Sequence, residues 1–380
     1  MRRTWVRWRL VALVLVVIAA TTGCWQIAPL DQRGLVSILA IDTAPSGGYE
    51  VTAAVIQPPG LAPPGPAAGG GNSSQGPVYL RHALGPTVAR ALQTLGQMSY
   101  LSLDFTHLEA VVVSEAVARQ GLGPAVQPIA QSPRFSATGW LLVARAGTAA
   151  SLLQAIQKDA PRPSEVLSET VRSSRSDTPY RTSRLATAFK EMAIRGASFA
   201  TAGVEAGTSS SSQTVPVVVS GVALFRRDRL VGWLTGPAAL GWAVAMGRMS
   251  ETTVAVPFRG ATLDLDLIGA QRRVRVVSAG VAMPRVRIAL RVSAHVVAAG
   301  QANFWRDPGA IQAVQGAAAR TLDQDVTAAL QQAQALGSDP FEIGEFVRLQ
   351  DPAYWYRVRS HWAGGAFPHV PLRTQGAGKY

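Results

Sequence analysis

With 380 residues, 48% of them hydrophobic, the chain can build more than one packed domain and is too apolar to be a disordered charged tail. Its single cysteine excludes an intrachain disulfide framework, so the core alone must hold the fold. The net charge of +13 is carried almost wholly by arginine, the only lysines being Lys158, Lys190 and Lys379. These arginines are dispersed, often singly on strand-like segments, as at Arg285, Arg287 and Arg291, without clustered stacking aromatics. That pattern argues against a nucleic-acid partner.

Residues 1–24 form the first element. Arg2, Arg3, Arg7 and Arg9 make a basic region, residues 10–20 an unbroken apolar run, and Thr21, Thr22 and Gly23 lead to Cys24, the sole cysteine. The apolar run is too short to span ~30 Å of hydrocarbon as a stable helix and has the size of a secretory signal core. The pattern resembles a bacterial lipoprotein signal, with Thr21 at the position where Leu is usual. That resemblance implies removal of residues 1–23, lipidation of Cys24 by diacylglyceryl lipid and palmitate, and a mature chain that starts there. Two acyl chains at ~0.8 kcal/mol per buried methylene anchor stably where one does not. Arg2-Arg3 also resembles a twin-arginine export signal, so the general secretory and twin-arginine routes both stay open. Without the leader the net charge is +9, which for an exported protein suits adhesion to anionic headgroups, at ~1 kcal/mol per well-placed cation.

Two strands are expected over 35–42 and 49–57, the second alternating Val51, Ala53 and Val55 with Thr52, Ala54 and Ile56. Residues 60–77, rich in Gly, Pro and Ser, read as a flexible loop within an N-terminal region over 24–204. Helical spacing follows over 87–95 (Val88, Ala91, Leu92, Leu95), then a β-rich run over 107–114, a helix over 115–120 and a buried strand over 139–145. Residues 161–179 read as a polar, proline-containing connection, and 182–195 as a helix with Leu185, Phe189 and Met192 on its apolar face. A linker is expected over 205–214, where serines occupy 209–212. A C-terminal domain over 215–380 then begins with a hairpin of 215–225 and 229–234, followed by strands over 254–257, 262–268, 272–277 and 285–297. Asp307-Pro308, Asp339-Pro340 and Asp351-Pro352 each predict a helix start, with Asp as N-cap and Pro in the first turn. A last strand is expected over 369–374. The alternation of strands and helices indicates a mixed α+β (α/β) fold.

Several segments, in order, resemble one family, the Ger(x)C spore germination lipoproteins, which are C subunits of nutrient germinant receptors. They are Gly23-Cys24-Trp25; Asp31-Gln32-Arg33-Gly34-Leu35; His107-Leu108-Glu109-Ala110-Val111-Val112-Val113-Ser114-Glu115; Pro133-Arg134-Phe135 with residues 140–145; the hairpin 221–234; Asp339-Pro340-Phe341-Glu342-Ile343-Gly344-Glu345; and Trp355, Trp362 and Phe367-Pro368. The resemblance implies a three-domain-type body, lipid-anchored on the outer face of the spore inner membrane. It also implies assembly with a polytopic A-type subunit and a permease-like B-type subunit.

No catalytic constellation emerges. Asp104, His107 and Glu109 are close in sequence but lack a third ligand or an orienting partner, and a strand beginning at His107 would place His107 and Glu109 on one face. His82, His295, His361 and His369 have no metal spacing, and Gly69-Gly70-Gly71 lacks the Lys-Ser/Thr of a phosphate loop. Asp264 and Asp266 read as the wet face of a strand, and Trp355 and Trp362 as packing. No cofactor, metal or catalytic residue is assigned, and Cys24 is the one site residue. A rival reading is an envelope solute-binding lipoprotein of a transporter, closing about a hinge at 205–214.

Overall fold

The computed structural model describes residues 32–56, 78–159, 162–177, 183–194, 196–207, 217–247, 252–277, 283–298 and 308–376. Cys24, the leader expected over 1–23, the loop expected over 60–77, the serines at 209–212 and Asp307 lie outside the described residues.

The first half builds a ten-stranded mixed sheet around β1 (Arg33–Thr43), whose apolar run is buried on both faces, as expected of a central strand. On one side β1 pairs antiparallel with β2 (Tyr49–Ile56), and β2 with β3 (Val78–Gly85). On the other side β5 (Ala110–Ser114), β6 (Trp140–Ala144) and β8 (Ala200–Ala206) follow in parallel. Two short strands flank this path, β4 (Ser102–Asp104) along β1 and β7 (Ser183–Arg184) along β6. An irregularity between Val36 and Ile38 resets which face each side chain meets. Val36, Leu39 and Ile41 therefore face one core, and Ile38 and Ala40 the other.

Helices cover both faces. Against the first core lie α1 (Val88–Gln97), α2 (Glu115–Gln120), α3 (Leu122–Ala130) and α6 (Leu185–Ala193); against the second lie α4 (Ala149–Asp159) and α5 (Pro163–Asp177). Thr87 and Ser114 cap α1 and α2, accepting from the N–H of Arg90 and Val117. The N-terminus of α4 is satisfied from afar: the buried Asp42 carboxylate, at the end of β1, accepts from the N–H of Ala149 at 2.7 Å and of Ala150 at 2.9 Å.

The hairpin β9 (Val217–Arg226) and β10 (Arg229–Leu234) completes this sheet, because β9 pairs antiparallel with β8 from Ala200↔Leu224 to Ala206↔Val217. Glu205 and Ala206 close β8 opposite Val218 and Val217, so the chain returns to its own sheet across residues 208–216.

A separate four-stranded sheet follows: β11 (Thr252–Phe258), β12 (Ala261–Val277), β13 (Arg285–Ala298) and β14 (Leu372–Gly376). Its packed face meets α7 (Gly236–Met246) and α8 (Pro308–Ala335), with Trp242 fully buried between them. Then α9 (Ile343–Gln350), α10 (Pro352–Val358), a π-turn over Trp362–Ala366 and a 3-10 turn over Phe367–His369 close the core. Among the described residues no helix is long and apolar enough to cross a membrane.

The mixed α+β class is as expected, and the structure corrects several details. Residues 161–179, expected as a connection, hold α5: Pro163 stands at its first position, and Leu167 and Val171, one turn apart, are buried. The strands expected over 262–268 and 272–277 are one strand, β12, carried past Gly269 by a register shift. The strand after His107 starts only at Ala110, leaving His107 in an exposed turn. The last strand begins at Leu372 and runs parallel to β13.

Candidate functional site

The polar residues singled out from the sequence are dispersed. Asp104 accepts from the hydroxyl of Thr106 at 2.6 Å and from its N–H at 2.9 Å, and pairs with Arg33 at 3.2 Å. Burial pushes its carboxyl up, but these bonds and His107 outweigh it and hold the group below the usual aspartate value. Glu109 turns elsewhere, accepting from the Ser168 hydroxyl at 2.7 Å and so tying α5 to the start of β5. His82, His107, His295, His361 and His369 are all exposed. Asp264 and Asp266 lie on the face of β12 opposite the buried Leu263, Leu265 and Leu267. No group of three or more His, Cys, Asp or Glu able to hold a metal occurs among the described residues.

The structure instead concentrates polar interactions where the last elements dock on the first sheet. Asp339 is fully buried. Its Oδ1 accepts from the N–H of Ile343 at 3.0 Å; its Oδ2 accepts from the N–H of Gly344 at 2.8 Å and from the indole Nε1 of Trp362 at 2.9 Å. The carboxylate thus caps α9 from four residues ahead, with Glu342 in the left-handed region (φ 61°) making the approach possible. Burial still pushes the carboxyl up to about 6, against the lowering by those donors and the N–H of Phe341.

The backbone of Asp339 bonds across the boundary: its carbonyl accepts from the Ser198 N–H at 2.7 Å, and its N–H donates to the Ser198 hydroxyl at 2.9 Å. Ser338 donates its hydroxyl to the Phe225 carbonyl at 2.7 Å, and Trp242 its indole N–H to that of Pro340 at 3.1 Å. Gly196 is needed here, since a Cβ on it would lie 2.7 Å from Gly344 and 2.8 Å from the ring of Trp355. Trp355 and Trp362 meet edge to face, with centroids 5.5 Å apart; both are buried, as expected of packing residues. Beside this joint Arg272 donates to the Phe341 carbonyl at 2.8 Å and pairs with Glu342 at 2.7 Å.

Above the joint lies a cleft of about 1140 Å³, walled by the segment before β8, by the β9–β10 turn, and by the segment after α10. Four arginines line it, Arg226, Arg227, Arg229 and Arg359, against one acid, Asp228. All four are exposed, and none has an ion pair among the described residues. Arg359 stacks over the Tyr356 ring at 4.1 Å. Asp228 is engaged at the start of α3, its carbonyl accepting from the Leu122 N–H at 2.8 Å and its Oδ2 from the Gly123 N–H at 3.4 Å. The favourable end of that helix dipole holds the acid, leaving the guanidinium groups uncompensated. Chemically the cleft can hold anions. Ser360 and His361, both exposed, also line it, with the Ser360 hydroxyl 3.3 Å from His361 Nδ1.

From the sequence, residues 226–228 read only as a hairpin turn and Arg229 as the start of the next strand. The available signal is three arginines in four residues, of which Arg227 adopts the left-handed region (φ 59°) where Gly or Asn is cheaper.

The sequence matches known proteins along its length. A sequence model of the spore germination protein N-terminal domain matches residues 26–205, and one of the spore germination B3/GerAC-like C-terminal domain matches residues 220–375. The chain is similar to spore germination protein KC of Bacillus subtilis (strain 168), 19% identical over 387 residues that cover 96% of this chain and 92% of that protein. The crystal structure of the GerBC protein shares the fold, with a TM-score of 0.54 over 90% of this chain and 96% of that one, at 16% identity. No solute-binding protein is among these relatives, so nothing favours the transporter reading. Both halves being matched in order, the chain belongs to the spore germination B3/GerAC-like family.

Proposed function

We propose that this protein is a non-catalytic, lipid-anchored subunit of a nutrient germinant receptor, held on the outer face of the spore inner membrane. The observation that carries this reading is the pair of family matches, residues 26–205 and 220–375, behind the leader expected over residues 1–23. The lipid on Cys24 confines the body to two dimensions and raises its effective concentration near an A-type polytopic and a B-type permease-like subunit.

Co-purification from spore inner membranes with Cys24 intact tests the reading. Recovery of a permease-like protein and a second polytopic protein is the expected result; recovery alone, or with a transporter ATPase, would overturn it. A Cys24→Ala chain should fold normally but leave the membrane fraction, and its retention there would refute the anchor.

A further inference from the structure

We infer that the end of the ten-stranded sheet carrying the arginine cleft is the membrane-facing surface, and that the cleft receives the phosphate headgroups of anionic lipid. The inference rests on the lipid anchor proposed above and assigns the face that the anchor turns toward the bilayer.

Strand registers fix which residues share an end. Ile38 lies opposite Ala110, Ala110 opposite Trp140, Val143 opposite Gly203, and Ala200 opposite Leu224. Along that line the first residue of β1, Arg33, and the β9–β10 turn fall at one end of the sheet, four strand spacings of ~4.8 Å apart. Cys24 precedes Arg33 by nine residues, a tether of at most ~32 Å even when fully extended. The anchored end and the cationic end are therefore the same end.

Two further observations point to lipid. Arg33 pairs with Ser102 at this end, which sets Met98 and Tyr100, 70% and 67% exposed, just beyond it. At the cleft itself Ile194 is 41% exposed, and Tyr356, 70% exposed, stands beneath Arg359. Exposed aromatic and aliphatic side chains beside arginines suit a headgroup layer, where rings sit at the boundary and guanidinium groups meet phosphate. An acidic soluble partner would explain the arginines and leave the apolar side chains without a role.

The test uses the mature chain from residue 24 carrying Cys24→Ala. The described residues form all three cores without any of residues 1–31, so this chain keeps its fold. Its partition is measured on phosphatidylcholine vesicles and on vesicles containing half phosphatidylglycerol. We expect binding to the anionic vesicles alone. Replacing Arg226, Arg227, Arg229 and Arg359 by Gln should weaken it about fivefold per residue. Arg285→Gln, Arg287→Gln and Arg291→Gln on β13, in the other sheet, should change it less than twofold. Met98→Ser with Tyr100→Ser, which alters no charge, should weaken it several-fold and serves if the arginine variant is unstable.

Equal losses from both arginine sets, or no binding by the parent chain, would overturn the inference. Displacement by millimolar glycerol phosphate would mark a soluble-phosphate site and overturn it as well. Failure here with co-purification intact sinks only this inference, whereas lost co-purification with vesicle selectivity intact sinks the receptor reading.

Discussion

Asp339 is a carboxylate whose surroundings oppose one another: four donors favour its charge, while complete burial disfavours it and wins, raising the group to about 6. Because this value exceeds the 3.8 of an unperturbed aspartate, the folded protein binds the proton more tightly than the unfolded chain. The stabilisation is therefore fully present below about 3.8 and is lost as pH rises through about 6. From pH 4 to 7.5 this one group should withdraw on the order of 3 kcal/mol. Asp339→Asn removes the titration but turns an amide N–H toward existing donors. It should cost on the order of 2 kcal/mol at pH 7.5 and flatten the pH dependence. Urea unfolding of both chains at pH 5 and 7.5 checks this; equal pH slopes would refute the assignment to Asp339.

Among elements, α7 shows what the sequence conceals. Its residues, Gly236–Met246, are apolar throughout and, apart from its first turn and Leu240, buried on every side, so no polar stripe marks a period of 3.6. Helix α1, by contrast, is legible because Val88, Ala91 and Leu95 recur on one face behind the capping Thr87. The close approach of α7 to α8 depends on Gly241, where a Cβ would sit 2.1 Å from the Asp325 carbonyl oxygen and 2.5 Å from the Val326 nitrogen. Both contacts are backbone and cannot swing aside. Gly241→Ala should therefore destabilise by about 3 kcal/mol, measurable in denaturant melts, whereas Gly316→Ala in α8, whose nearest neighbour is the flexible Arg320 at 3.5 Å, should be neutral or slightly stabilising.

At the scale of the molecule, β9 belongs to three cores. Val222 and Leu224 face the core of α7 and α8, Ala223 and Phe225 that of α1 to α3, and Val217 that of α4 and α5. The strand reads as an apolar run over 215–225, but apolar residues on both faces do not say which core each face meets. For the same reason the sequence puts the hairpin at the start of the C-terminal domain, whereas its strands complete the first sheet. The cleft is illegible on other grounds, since its walls come from residues 192–194, 196–198, 226–229 and 359–365 and meet only after the whole chain has folded. The bonds of Asp339 to Ser198 and of Ser338 to Phe225 fasten the same boundary. Calorimetry of the mature chain should accordingly show one cooperative transition; two resolved peaks would mean that the sheets unfold independently.

A strand shared in this way also removes slack. Its turn carries three of the arginines of the cleft, and its middle is a wall of the other core, so neither sheet can swing without dragging its neighbour. A push delivered against the four-stranded sheet would arrive at the turn as torque, tilting the body as a single rigid lever instead of flexing it at the waist.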